Sequence, residues 1–325
     1  MFKARLQAAA AATAASLTLM TVPISAQAAA PSCSTAQLIV PWAAGGDTDI
    51  VFRQYVDTIN KTGIKPQVQV VNVGGQGGIR GTVQVKDAKP DGCMMVALHE
   101  SVITSYLTGR ADFTHTAFEP VALVTYTPSI ITSSSKAPFK DLKSMIEKSK
   151  KEPRSVTVGV TLGSTSHFIF LLLEDAANIQ LRYVSYDGTR ERNTALLSGN
   201  VMMGESNVLS AKQYIADGSL VGLGIAMPER DPIVGEIPTL KEQGYDIVYG
   251  LARGIALPKG TPAEFIKFWE DAFAKAAKDP ALVKSIEAAG SMVMYKDAAG
   301  YKAFLEQGYK EHERLAIKIG MYKKN

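Results

Sequence analysis

Gln37-Leu38-Ile39-Val40-Pro41-Trp42-Ala43-Ala44-Gly45-Gly46-Asp47-Thr48-Asp49-Ile50 is the stretch on which the fold turns. Its first four residues make a short apolar run that Pro41 ends. From Ile50 through Tyr55 to Ile59 the apolar residues shift to helical spacing, and Gly63 supplies the stop. The segment therefore predicts strand, loop, helix. Small residues in the loop let the backbone approach a ligand closely. The first-turn amides of the helix lack intrahelical acceptors, and their partial positive charge suits an anion such as a carboxylate. Asp47, Thr48 or Asp49 would cap this helix. Trp42 reads either as a flat wall for a ligand or as an edge residue packed on the helix.

The same rhythm continues outward. Residues 67–73 read as a strand, 79–85 as a helix after a glycine-rich loop, and 93–98 as a strand entered through Pro90-Asp91-Gly92. It restarts with strands at 155–160, 181–186, 201–203 and 220–226, separated by helices at 167–178, 190–197 and 211–216. Alternation of this kind implies parallel sheet flanked by helices, an α/β class. Between the two runs lie extended segments at 121–127 and 130–133, interrupted by Pro128, and another at 247–257 follows the second run. They read as crossings between two α/β lobes. Amphipathic helices at 262–278, 281–289 and 298–319 then pack mainly on the first lobe. The division expected is lobe 1 from 29–125 and 250–325, and lobe 2 from 126–249.

Other loops extend the binding reading. Gly74-Gly75-Gln76-Gly77-Gly78 follows a strand and opens a helix, but a dinucleotide fingerprint begun at Gly75 puts Arg80 where the third glycine belongs. Gly75 and Gly77 read instead as a close approach to a small ligand. Gly163-Ser164-Thr165-Ser166-His167 repeats the first device in the second lobe. Tyr186-Asp187-Gly188-Thr189-Arg190 carries a positive charge into a helix start, with Arg192 just beyond, and arginine matches a carboxylate through two parallel hydrogen bonds. Each arginine reads equally well as a solvated surface residue. The four histidines, His99, His115, His167 and His312, show no metal-ligand spacing, and no Gly-x-Ser-x-Gly elbow supplies a nucleophile. No catalytic residue, metal or cofactor is expected.

The 325 residues are 46% hydrophobic and 20% charged, which excludes a disordered chain and suggests two domains. Lys3 and Arg5, the uncharged alanine-rich run that follows, and Ala26-Gln27-Ala28 read as a signal peptide cleaved after Ala28. Its removal leaves a chain near neutral, without charge blocks, so neither nucleic acid nor an anionic membrane surface is an expected partner. Cys33 and Cys93 read either as a disulfide, which adjacency of the first and third strands would permit, or as two unrelated thiols.

With these residues in view the chain resembles the periplasmic solute-binding proteins of tripartite tricarboxylate transporters, the Bug proteins. The resemblance rests on the stretch from Val40 to Gly46 with Asp49, Asn72 through Gly78, Lys89-Pro90-Asp91-Gly92, Ser164 to His167, Tyr186 to Gly188, Ser198-Gly199-Asn200-Val201, Glu236-Ile237-Pro238-Thr239 and Ala256 to Pro262. It covers essentially the whole mature chain. It implies a two-lobed clamshell in the periplasm of a Gram-negative bacterium, monomeric, its lobes joined by extended hinge strands. The clamshell would close on a mono-, di- or tricarboxylate, an aromatic acid or an acidic amino acid and present it to membrane permease subunits. The contacting set then comprises Trp42, Ala44, Gly45, Gly46, Asp47, Thr48, Asp49, Gly75, Gly77 and Ser101 from the first lobe. The second lobe would add Ser164, Thr165, Ser166, His167, Gly188, Thr189, Arg190, Glu205 and Asn207. Departures from the family pattern are Asp187 for lysine, Arg190 and Arg192 for small or proline residues, Glu205-Ser206-Asn207 for Phe-Asp-Asn, and the polar His99-Glu100-Ser101. Two further readings are an exported ligand sensor for a signalling system and an exported hydrolase or transferase.

Overall fold

The computed structural model describes residues 29–323, so the signal peptide expected at 1–28 lies outside the described residues. β1 (Thr35–Val40) leads through the loop quoted above into α1 (Asp47–Lys61), followed by β2 (Gln67–Asn72), α2 (Ile79–Lys86), β3 (Met94–His99) and α3 (Ser101–Leu107). The long β4 (Phe118–Ser134) comes next, then α4 (Leu142–Lys151), β5 (Thr157–Val160), α5 (Thr165–Ala177), β6 (Arg182–Ser185) and α6 (Thr189–Ser198). β7 (Met203–Asn207), α7 (Val208–Ala216) and β8 (Leu220–Ile225) complete the second run. The chain returns through β9 (Gly250–Pro258) to α8 (Ala263–Ala276), α9 (Pro280–Ala288), β10 (Met292–Lys296) and α10 (Ala298–Lys318).

The strand order is β2-β1-β3-β9-β4-β7-β5-β6, with β8 and β10 also paired to β4. β1 lies parallel to β2 and β3, and β5 parallel to β6 and β7. The strands that link the two parallel groups pair antiparallel: β9 with β3 and β4, and β4 with β7, β8 and β10. Each half is thus a mixed sheet whose parallel part carries the glycine-rich and hydroxyl-rich loops that the sequence singles out. One core packs Leu38, Phe52, Tyr55 and Ile59 against Trp269 and Phe273, and another packs Met145, Val158, Ile169, Phe170 and Met203. α10 lies chiefly against α3 and β4. The Cys33 and Cys93 thiols are joined, their Cα atoms 6.0 Å apart, because β1 and β3 are neighbours.

Several boundaries differ from expectation for identifiable reasons. Pro128 does not break β4. It stands opposite Gly250, between the part of β4 that pairs with β10 and the part that begins pairing with β7 at Ser129, so its missing N–H leaves no ladder acceptor unmet. The strand expected at 201–203 is displaced to β7, where polar Glu205, Ser206 and Asn207 are all buried. α1 begins at Asp47, and its N-cap is Gly46 with no side-chain cap, so none of Asp47, Thr48 and Asp49 caps it. At the third helical position Asp49 instead reaches back to accept the Gly45 N–H at 2.8 Å.

Candidate ligand-binding cleft

The loop after β1 is held by Asp49. Its carboxylate accepts from Gly45 N–H, from Arg53 Nε at 3.0 Å and from Asn72 Nδ2 at 2.9 Å. Burial opposes its ionisation, but the hydrogen bonds from Arg53, Gly45 and Asn72 outweigh it and hold the pKa below the usual value. Asp49 is therefore a fastening of the loop. Gly45, at φ 78°, makes the turn. Trp42 lines the cleft, stacks on the His99 ring at 4.1 Å and 14°, and lies where a Cβ on Gly78 would come within 2.7 Å.

Facing this loop, β5 runs into α5 through residues 161–164. Ser166 Oγ accepts the Thr161 N–H at 3.0 Å, and Ser164 Oγ lies 2.9 Å from Ser166 Oγ. His167 turns away from the cavity, its Nδ1 accepting Gly163 N–H at 3.2 Å. Arg192, from α6, is buried and ties the second side together. It donates from Nε to Glu205 O at 3.1 Å, from Nη1 to the Thr161 and Ser166 hydroxyls, and from Nη2 to Thr189 Oγ1 at 3.1 Å and Glu205 Oε2 at 2.7 Å. Glu205 Oε1 also accepts from Ser129 Oγ at 3.1 Å. Burial raises the Glu205 pKa, with Arg192 opposing and Asp47 reinforcing the shift.

Arg253, on β9 and fully buried, crosses beneath the cavity. It donates from Nε to Thr48 Oγ1 at 3.1 Å and from Nη1 to Thr127 Oγ1 at 2.6 Å. Its Nη2 makes no hydrogen bond and stands 4.0 Å from Asp47 Oδ2. Behind it lie His99 and Glu100. Burial, then the Arg253 charge, holds His99 well below its usual pKa. Its Nδ1 accepts from Ser101 N–H at 3.2 Å, which places the ring proton on Nε2.

Burial pushes Glu100 up to about 8 from 4.5, against hydrogen bonds from backbone N–H groups and the Arg253 charge. The unfolded chain releases this proton first, so the associated stability falls as pH rises from about 4.5 and levels off near 8. Glu100→Gln, which cannot ionise, should match the parent near pH ~4 and exceed it by on the order of 4 kcal/mol near pH ~8. Parallel pH dependences in urea denaturation of the two proteins would rule this out.

Trp42, Gly46, Asp47, Thr48, Ser164, Thr165, Ser166, Gly188, Thr189, Glu205 and Asn207 thus surround one inner cavity, with His99, Thr161, Arg192, Leu251 and Arg253 in addition. The cavity has a volume of about 50 Å³, room for several waters or a small organic molecule. Asn207 Nδ2 donates to Asp47 Oδ2 at 2.5 Å, joining β7 to the start of α1 across the cleft. An outer hollow of about 530 Å³ adjoins it, and Gly45 and Arg190 line that hollow instead. Arg190 Nη1 donates to Ala44 O at 3.0 Å, so Ala44 offers its carbonyl to the opposite side. Gly77 N–H is taken by Asp187 Oδ1 at 2.5 Å, and Gly77 and Ser101 line a separate small hollow. Gly75 cradles Arg80. Ala44, Gly45, Asp49, Gly75, Gly77, Ser101, His167 and Arg190 are therefore not among the inner lining. Among the described residues no cluster of three His, Cys, Asp or Glu side chains could hold a metal ion, and no helix is long and apolar enough to cross a membrane.

Two α/β halves linked by crossing strands, with a small polar cavity between the starts of α1, α5 and α6, define a two-lobed binding protein of the periplasmic type. Residues 51–321 match the family described as "Tripartite tricarboxylate transporter family receptor", and the chain belongs to that family. It is similar to protein BugT of Bordetella pertussis, with 26% identity over 261 residues, 78% of this chain and 80% of that one. In structure it is similar to the periplasmic binding protein BugD, with a TM-score of 0.81 at 28% identity over 89% of this chain and 99% of that chain. It is also similar to MatC from Rhodopseudomonas palustris with bound malate, with a TM-score of 0.81 at 25% identity over 86% and 98%. The family is described as one of receptors, and BugD is described as a periplasmic binding protein.

Proposed function

We propose that this chain is a periplasmic receptor, exported by removal of residues 1–28, that closes on a small carboxylate and delivers it to the membrane subunits of a tripartite tricarboxylate-type transporter. Closure would move lobe 1, residues 29–125 and 250–325, against lobe 2, residues 126–249, with the crossing strands absorbing the motion. The observation that carries this reading is Arg253: a fully buried guanidinium at the cavity whose Nη2 has no hydrogen-bond acceptor. It lies beside the first turn of α1, whose amides favour an anion. Malate in the MatC relative is in keeping with a ligand of this class. Isothermal titration of the purified protein with a panel of mono-, di- and tricarboxylates and acidic amino acids should detect at least one ligand. Arg253→Gln should weaken that ligand by roughly 30-fold or more, the loss typical of truncating one side of a buried charged pair. No heat and no thermal shift from any acid would overturn the proposal.

A further inference from the structure

The charges around the inner cavity are nearly matched before a ligand enters. Arg192 is 3% exposed and has every guanidinium nitrogen engaged, with Glu205 as its ionic partner. Arg253 faces Asp47, and its Nη2 is the nitrogen left without a hydrogen bond. Two guanidinium groups thus face two carboxylates. The other titratable side chains beside Arg253, His99 and Glu100, are held uncharged near neutral pH by burial. The helix starts offer amide donors but differ in net charge. α1 carries Asp47 and Asp49 in its first turn and α6 carries Glu191, whereas α5 has no acid there and contributes roughly half a positive charge.

Resting on the carboxylate reading above, we infer that the ligand bears one carboxylate and a hydroxyl or ammonium donor, and that the site selects against a second carboxylate. The single carboxylate meets Arg253 Nη2 and the first-turn amides of α1. The donor meets Asp47 or Glu205, both of which line the cavity. A second ligand carboxylate would lie against those same acids, where the inner lining offers no third guanidinium or ammonium group, and an uncompensated buried charge is strongly unfavourable. The selection holds in either protonation state of Glu205. Ionised, it leaves the four side chains neutral and accepts the ligand's donor. Protonated, it leaves one positive charge, which one carboxylate cancels.

The test is a ladder of four-carbon acids titrated into the wild-type protein: butyrate, 2-hydroxybutyrate, 2-aminobutyrate, succinate and malate. The hydroxy or the amino acid should bind at least tenfold more tightly than butyrate, succinate and malate. Glu205→Gln, which removes a negative charge from the lining, should narrow the gap, with succinate gaining about fivefold or more. Succinate or malate binding the wild type as tightly as the donor-bearing monoacids would overturn the inference while leaving the carboxylate reading in place. Binding by none of the five, together with none of the wider panel, would remove both. The wild-type ladder decides the matter even where the variant does not fold.

Discussion

Arg192→Leu should cost about 3–5 kcal/mol of folding stability, a large loss for a single substitution. The substitution leaves Glu205, 7% exposed, without its ionic partner at 2.7 Å and removes the donors that reach Thr161, Ser166 and Thr189. Replacing both partners removes the charge along with its counter-charge, so Arg192→Leu with Glu205→Leu should recover more than half of the loss. The single-variant loss should also shrink toward acid pH, because Glu205, with its pKa raised by burial, then avoids the uncompensated charge by holding its proton. Urea denaturation of the wild type, both single variants and the double variant near pH ~5 and ~7.5 measures all three effects. A single-variant loss below about 1 kcal/mol, or double-variant losses that simply add, would show that the Arg192–Glu205 pair does not hold these segments together.

That result matters for the cleft because Arg192 joins three separate segments: the loop before α5, the start of α6 and β7. The sequence placed Arg192 near a binding loop but left its direction open. It also placed the β1 loop correctly, since a proline-ended apolar run followed by helical spacing is a local signal. β7 was displaced for an equally physical reason. Hydrophobicity marks a strand by what it buries in a core, and Gly204-Glu205-Ser206-Asn207 lies in a buried polar cleft, held by pairing with β4 and, at Gly204, with β5. α3 starts in the polar His99-Glu100-Ser101 stretch, which hides a helix whose residues are mostly buried.

Arg253 was missed outright. It is one charge within the apolar run Leu251-Ala252-Arg253-Gly254-Ile255 and reads locally as an outward-facing strand residue. A signal did exist, because the polar His99-Glu100 pair ends another strand of the same lobe. The register that sets His99 opposite Arg253 brings them together, and strand alternation alone does not specify that register. Gly75 and Gly77 lie outside the inner lining. Their positive φ angles, 126° and 69°, serve the loop's turn beside Arg80 and the contact with Asp187 rather than the inner cavity.

Breaking the Cys33–Cys93 bond should lower stability by about 4 kcal/mol, most of it through the unfolded chain. The cysteines are 60 residues apart, and closing a loop of that length restricts the denatured ensemble by roughly this amount in the chain-entropy model. In the folded state the bond tethers the segment before β1 to the start of β3, two strands already paired at Gln37–Met94 through Ile39–Val96. Affinity should therefore change little below the unfolding transition, because the loop of residues 41–46 remains held by Asp49 and Asn72 at the opposite end of β1. Cys33→Ala with Cys93→Ala, compared with the oxidised protein in urea, should show a lower midpoint and a steeper dependence on urea, since a released chain exposes more surface on unfolding. Ligand titration of the same pair separates the two roles. An affinity loss of tenfold or more in the folded double variant would mean that the bond positions the cleft, and an unfolding penalty under about 1 kcal/mol would mean that strand pairing alone holds this edge of the sheet.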